Sequence, residues 1–443
     1  MNLAGGPDGD IRRGPPEGGP APSAWTGRWQ DGLRYGAMGF PLAFVALPLY
    51  VALPSHYGAL GVPLGWLGLL LLGARLLDAV SDPLIGHWTD RLLGQPTPAA
   101  WWAAALAAVL LALGFLGLFS PPPGLAPGAL MAWCGLLLTL TCLGYSTVGI
   151  VHQAWGARLG GDSAQRAGIT AWREGLALVG VVTASVLMSS AGARVTSAAL
   201  AVSLAAGIAL LRFAPRSATL PHTSLPVGPL PNPFHNPAFR QLLLVYLVNG
   251  IASAVPATLV IFFIRDRLQA PAQEAVFLCS YFAAGALSIP LWARAVRRVG
   301  LARAWMAGML LSIAVFAWTI GLGPGDPAAF TAVCLLSGMA LGADLILPGA
   351  LLTGVIQDAG HAGQAEGAYV GWWNFATKLN LALAAGLSLP LLQGFGYAPG
   401  RRDAAASLAL SLAYGLLPCI LKLVAAALLA RRCLRHPLGV RIP

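Results

Sequence analysis

The feature that most restricts the fold of this chain is a series of twelve long apolar segments separated by short polar breaks. Each is close to the roughly 20 apolar residues that an α-helix needs to cross a bilayer. They cover residues 34–54, 62–86, 99–119, 128–152, 171–191, 195–213, 240–263, 275–293, 303–322, 329–352, 368–393 and 407–430. Because 57% of the 443 residues are hydrophobic and only 10% are charged, the sequence predicts an all-α polytopic membrane protein.

The proline-rich break at 214–239 is the longest internal polar stretch, and it divides the segments six and six. We therefore predict two pseudo-symmetric six-helix bundles, 34–213 and 240–430, joined by a cytoplasmic linker. Residues 1–33 are rich in glycine and proline and are expected to form a disordered cytoplasmic tail. Residues 431–443 are expected to form a second cytoplasmic tail.

The positions of the charged residues are more informative than the formal net charge of +11. If the first segment starts in the cytoplasm, most arginines fall on the cytoplasmic side. The exceptions are Arg194, Arg265, Arg267, Arg401 and Arg402 outside and Arg75 within the membrane. The positive-inside rule then predicts cytoplasmic termini in a bacterial inner (plasma) membrane. Since the basic excess reports topology, we expect no nucleic-acid partner.

Loops between the segments are mostly short and leave no room for a catalytic domain outside the membrane. The sequence contains no glycine-rich phosphate loop followed by lysine, no His-Glu-x-x-His and no Gly-x-Ser-x-Gly, and its six cysteines lack metal-ligand spacing. An intramembrane aspartyl protease would pair Asp82 with Asp344, but neither lies in a recognisable protease context. We expect neither enzymatic activity nor a cofactor.

Two carboxylates inside the second apolar segment carry the strongest functional signal. Asp78 and Asp82 are four residues apart, which places them on one face of a helix about 6 Å from each other. An ionised aspartate at this depth costs about 2.5–3.5 kcal/mol on insertion scales, so such residues mark functional sites. Arg75 lies on the same face. The pattern predicts a site for a cation or a proton.

Lys378 is one of only two lysines in the chain and lies about ten residues into the eleventh segment. At 1.5 Å per residue its depth is about 15 Å, and that of Asp78 is about 12 Å. The matching depths allow the lysine of one half to face the carboxylates of the other, where an ammonium and a coupling cation compete for the same negative charge. A structural ion pair that joins the two bundles is the alternative interpretation.

The other polar residues in the apolar segments indicate a function less specifically. The Arg173 side chain either lines a cavity or snorkels to the membrane interface. Snorkelling to that interface is sufficient to explain the presence of Glu174. Asp344 lies deep in the tenth segment without a charged neighbour in sequence. It is interpreted either as a protonated acid bonded to a facing helix or as a substrate contact. His152 and Gln153 are more often interfacial anchors than ligands.

Two adjacent motifs resemble those of known transporter families. The loop Gly86-x-x-x-Asp90-Arg91 resembles the signature between helices two and three of the major facilitator superfamily. The preceding run Asp78-Ala79-x-x-Asp82-Pro83-x-x-Gly86 is similar to the glycoside–pentoside–hexuronide:cation symporters, the melibiose permease family. Three further matches are Tyr35-Gly36, Tyr145-Ser146, and Gly363-x-x-Glu366-Gly367 ahead of Lys378.

The resemblance implies a major facilitator fold and residue roles. Asp78, Ser81 and Asp82 would bind the coupling cation with an oxygen from Ser146, and Lys378 would be the lysine of that site. Asp78 and Asp82 would be the ligands of Na⁺ in a sodium-coupled transporter, whereas H⁺ coupling would protonate one carboxylate.

The same resemblance assigns Arg173 to the sugar site, but other positions depart from the family pattern. Ala43 stands where the sugar-binding members carry an aspartate. Gly149 and Gln153 stand where they carry an aspartate and a tryptophan, so these positions of the substrate site are replaced.

The main hypothesis from the sequence is a cation-coupled symporter of a small organic solute, sugar- or glycoside-like by resemblance, that works by alternating access and as a monomer. An amphiphilic or lysolipid-like substrate is the alternative, since Arg173 suits an anionic head group. A third hypothesis is a non-transporting membrane receptor or scaffold of transporter ancestry.

Overall fold

The computed structural model describes residues 25–95, 98–215, 231–394, 397, 400 and 403–432. These residues form α-helices with short 3₁₀ and π turns, and no β-strand occurs among them. The helices are α1 Trp29–Gly36, α2 Gly39–Leu47, α3 Leu53–Ala59, α4 Leu64–Leu93, α5 Ala99–Leu118, α6 Pro127–Arg158, α7 Ser163–Ser190, α8 Gly192–Arg212, α9 Pro237–Phe262, α10 Glu274–Val299, α11 Leu301–Thr319, α12 Pro327–Asp358, α13 Glu366–Gly394, α14 Ala404–Ser411 and α15 Leu417–Arg432. The predicted all-α class is therefore confirmed.

Within the described ranges, nine helical stretches are long and apolar enough to cross a membrane. The other three predicted segments, 34–54, 62–86 and 368–393, overlap the α1–α3 region, α4 and α13. Many large apolar side chains point away from the protein, among them Leu287 with 81% of its surface exposed. Exposure on this scale requires a lipid environment, and the chain is a multi-pass membrane protein.

The predicted first tail, 1–33, lies mostly outside the described residues, but its last five positions belong to α1. This short helix forms because its glycines pack closely on α7. A Cβ at Gly32 would overlap the indole of Trp172, and one at Gly36 would lie 2.8 Å from the Trp172 carbonyl oxygen. Most of the predicted linker (216–230) and of the second tail (433–443) lies outside the described residues.

We call α1–α8 the first half and α9–α15 the second half of the chain. The halves meet most closely where α4 crosses α13, and glycines form this crossing. A Cβ added at Gly86 would lie 2.2 Å from the carbonyl oxygen of Gly367, and one at Gly371 would lie 2.5 Å from that of Asp82. Only residues without side chains permit such an approach, which brings α4 and α13 into direct contact.

The end of this crossing that carries Asp90 is closed by polar contacts between the halves. The Asp90 carboxylate accepts the backbone N–H groups of Gly367 and Ala368 at 2.6 and 2.8 Å, and so caps the N-terminus of α13. Arg158 of α6 pairs with Glu366 at 3.1 Å. We call this region the Asp90 end.

We expect Gly367→Ala to loosen the Asp90 end, because the new methyl group would meet backbone atoms that cannot rotate away. Overpacking of this kind costs about 1–3 kcal/mol, and the apparent melting temperature in detergent should fall. Gly168→Ala in α7 is the matched control, since a Cβ there meets nothing within 4 Å. Equal melting temperatures for both variants would contradict the close contact.

Candidate functional site

Lys378 of α13 lies between the two aspartates of α4. Its Nζ is 2.7 Å from Oδ2 of Asp78 and 2.7 Å from Oδ2 of Asp82, and it donates a hydrogen bond to Oδ1 of Asp82 at 2.8 Å. Because the aspartates come from the first half and the lysine from the second, these ion pairs join the two halves. We call these three residues the ionic triad.

Ser146 of α6 completes the contacts around the triad. Its hydroxyl donates a short hydrogen bond to Oδ1 of Asp78 and accepts one from Lys378 at 2.9 Å. Ser81 is placed differently, because its hydroxyl donates to the Asp78 backbone carbonyl at 3.0 Å within α4. The structure thus brings Ser146 to the triad, whereas the Ser81 side chain is occupied by its own helix. The Arg75 side chain lies outside the described residues.

Burial makes the charge balance of the triad significant. Asp82 is fully buried and Asp78 is 3% exposed, while 21% of the Lys378 side chain is accessible. Two carboxylates and one ammonium leave a formal charge of −1 in a medium of low dielectric, where an unbalanced charge is costly. A monovalent cation or a proton would neutralise it, and carboxylate and hydroxyl oxygens are suitable ligands for a hard cation.

A second buried ion pair lies within the second half. The sequence shows no charged neighbour for Asp344, but in the structure Lys422 of α15 lies 2.8 Å from its Oδ2. Asn249, Ser253 and Trp305 donate further hydrogen bonds to the same carboxylate. Both carboxylate oxygens of Asp344 therefore have bonding partners, and Asp82 and Asp344 each pair with a separate lysine instead of with each other.

A narrow cavity separates the two halves between the triad and the Asp90 end, and we call it the inter-half cavity. Its walls include Tyr35, Gln153 and Arg173 from the first half and Gly349, Thr353 and Trp373 from the second. Two of the predicted substrate residues, Arg173 and Gln153, therefore face a common space.

Arg173 and Glu174 form an ion pair beside this cavity. The Arg173 guanidinium donates to Oε1 of Glu174 through Nε at 2.9 Å and Nη2 at 2.7 Å. The side chains are 18% and 21% exposed. Snorkelling at a membrane interface does not describe this geometry, because the guanidinium lines the cavity instead of reaching away from the protein.

Two further predicted positions in α6 have distinct environments. Gly149 is buried, yet a Cβ placed on it would meet nothing within 4 Å, so open space adjoins the helix there. His152 is fully buried instead of lying at an interface, and its Nε2 lies 2.8 Å from the Tyr35 carbonyl oxygen. This contact ties α1 to α6, whereas Gly149 leaves room beside the triad.

The signature residues serve the contact between the halves. Gly86 permits the close approach of α4 and α13, and Asp90 caps α13. Arg91 lies exposed in the last turn of α4.

The sequence interpretation missed the ion pair of Glu174 with Arg173 and that of Lys422 with Asp344. Glu174 follows an arginine near a segment end, and that pattern is typical of interface charges. Lys422, in the middle of the last apolar segment, carried a usable signal, because an intramembrane lysine requires a buried partner.

We expect Lys378→Met to destabilise the protein, because it leaves two buried carboxylates without their ammonium. Breaking such a pair costs about 3–5 kcal/mol, which should lower the melting temperature in detergent. The double variant Asp82→Asn with Lys378→Met removes one charge of each sign and should recover most of the loss. A single variant as stable as the wild type would contradict the triad geometry.

Comparisons with known proteins identify the family of this chain. The family described as MFS/sugar transport protein matches residues 32–435. The chain is 31% identical over 126 residues to the inner membrane symporter YicJ of Escherichia coli K12, and 31% identical over 122 residues to the putative glycoside/cation symporter YagG of the same organism. These stretches cover 28% and 27% of this chain, and only 26% and 25% of the two relatives.

Solved structures show the same fold at low sequence identity. A bacterial homologue of the iron transporter ferroportin, in an outward-facing state, superposes with a TM-score of 0.70 at 15% identity, over 91% of this chain and 99% of that one. The transporter FucP in its outward conformation gives a TM-score of 0.66 at 11% identity, over 91% and 99%. The predicted resemblance is confirmed: this chain belongs to the MFS/sugar transport protein family of the major facilitator superfamily.

Proposed function

We propose that this protein is a cation-coupled symporter of a sugar- or glycoside-like solute. The observation that carries the proposal is the ionic triad, in which Lys378 balances only one of the two buried charges of Asp78 and Asp82. The relatives named as symporters, one of them a putative glycoside/cation symporter, support the substrate class and the coupling to a cation.

The triad offers a physical basis for coupling. A cation that binds Asp78 and Asp82 competes with the Lys378 ammonium and weakens the ion pairs between the halves. The free energy of ion binding is thereby linked to the relative position of the halves, since a ligand shifts an equilibrium by its different affinity for the two states. Either Na⁺ or H⁺ satisfies this scheme, because each adds one positive charge.

The proposed architecture has twelve membrane-spanning helices in two six-helix bundles, with both termini in the cytoplasm, in a monomer that works by alternating access. The Asp90 end would face the cytoplasm, where the positive-inside rule places its arginines. The contacts Asp90–α13 and Arg158–Glu366 would then hold the cytoplasmic side closed and would have to break for solute to pass.

The pairing of Arg173 with Glu174 favours a sugar-like solute over an anionic amphiphile. The head group of a lysolipid would need a free cation, but the Arg173 guanidinium is paired with Glu174 at 2.7 Å. A non-transporting scaffold would not need a net charge of −1 buried between two halves, because a neutral pair joins helices at a lower desolvation cost.

The deciding experiment is a titration of the purified protein with Na⁺ at several pH values, followed by calorimetry or intrinsic fluorescence. We expect saturable Na⁺ binding, or H⁺ uptake that Na⁺ suppresses, and loss of both in Asp78→Asn. Removal of the carboxylate deletes the net charge and leaves Lys378 balanced by Asp82 alone.

Glu274→Gln is the matched control, because it removes a carboxylate from an ion pair whose arginine, Arg265, is 58% exposed. Its titration should equal that of the wild type. Binding of neither ion by the wild-type protein, or undiminished binding by Asp78→Asn, would refute the symporter proposal.

A further inference from the structure

Glu174 is a carboxylate beside the inter-half cavity that the cation site does not use. Its Oε1 accepts both hydrogen bonds from Arg173, whereas Oε2 accepts none from the described residues. The Glu174 side chain is 21% exposed, and its partner Arg173 lines the cavity. A carboxylate held in place by an arginine is a strong and well-oriented acceptor for hydroxyl groups.

The Arg173–Glu174 pair lies where the two halves meet. A Cβ added at Gly349 of α12 would come within 3.6 Å of Arg173 Nη2, so the guanidinium extends from the first half to the helix backbone of the second. Tyr246 of α9 is also within electrostatic reach of both Arg173 and Glu174. A ligand bound to Glu174 would therefore contact both halves.

Aromatic rings form the facing wall in the second half. Tyr246 and Trp373 stack with ring centroids 3.8 Å apart and an interplanar angle of 23°. The Tyr246 hydroxyl shares a hydrogen bond with Thr377 at 2.7 Å, and Trp373 lines the same cavity as Arg173. A sugar ring has an apolar face of C–H groups and an edge of hydroxyls, which suits an aromatic wall opposite a carboxylate.

Three groups of charged side chains are neutral once the cation is bound. Arg173 balances Glu174, Lys422 balances Asp344, and the triad with its cation is neutral. Arg166, another arginine of the wall, lies within electrostatic reach of Asp162 and Asp358. An anionic substrate would have to lie against the Glu174 carboxylate at low dielectric, whereas a neutral one would meet no like charge there.

We propose that Glu174, oriented by Arg173, is the hydroxyl acceptor of the substrate site and restricts the transporter to neutral polyhydroxylated solutes such as uncharged glycosides. The assignment rests on the proposed function, since it supposes that the cavity carries a solute.

The test measures binding of p-nitrophenyl β-galactoside, β-glucoside, β-xyloside and β-glucuronide to purified protein in Na⁺-containing buffer, for the wild type and Glu174→Gln. The wild type should bind a neutral glycoside more tightly than the glucuronide. Loss of a charged acceptor should weaken neutral binding roughly 10- to 100-fold in the variant. The unpaired Arg173 should strengthen glucuronide binding.

Two controls separate this proposal from the proposed function. Glu174→Asp keeps the charge and should keep the preference for neutral probes, and Na⁺ titration of Glu174→Gln should match the wild type and report correct folding. Unchanged neutral binding in Glu174→Gln, preference of the wild type for glucuronide, or a wild type that binds Na⁺ but no neutral probe would each overturn the role of Glu174. Absence of cation binding in the wild type would instead overturn the symporter proposal.

Discussion

The structure depends on one buried ammonium shared by two carboxylates. Without Lys378, Asp78 and Asp82 would place two like charges side by side in a medium that screens them poorly. The ammonium comes from α13 and the carboxylates from α4, so the balance exists only while the two halves are in contact. Under the proposed function, a cation that binds the two carboxylates would neutralise the remaining charge and weaken their pairing with the lysine, which would link ion binding to the relative position of the helices.

Two features outside the triad position it. Glycines at 86, 367 and 371 let α4 and α13 touch backbone to backbone, and Lys378 follows Gly371 by two turns on the same helix. Asp90 then caps the start of α13 and fixes it against α4. The signature motif and the ionic triad are therefore parts of one contact between α4 and α13.

The sequence predicted the components of the site better than their pairing. Equal depths of Asp78 and Lys378 indicated that the two would meet, because depth along a membrane helix follows from residue count. The same argument could not reveal that Lys422 pairs with Asp344, since depth leaves open which faces of α12 and α15 are opposed. Glu174 was misjudged for a related reason: its position near a segment end is equally compatible with lipid headgroups and with an internal cavity.

The sequence by itself determined the all-α membrane class, the two intramembrane aspartates, the lysine that faces them and the family, because apolar length, charge and motif are local properties of a chain. Tertiary structure decided what each polar group does. It turned Ser81 to its own helix, brought Ser146 to the triad, bonded Asp344 within one half and set Glu174 against Arg173 beside the cavity. These outcomes depend on which helix faces are opposed, and only the packing of the helices specifies that.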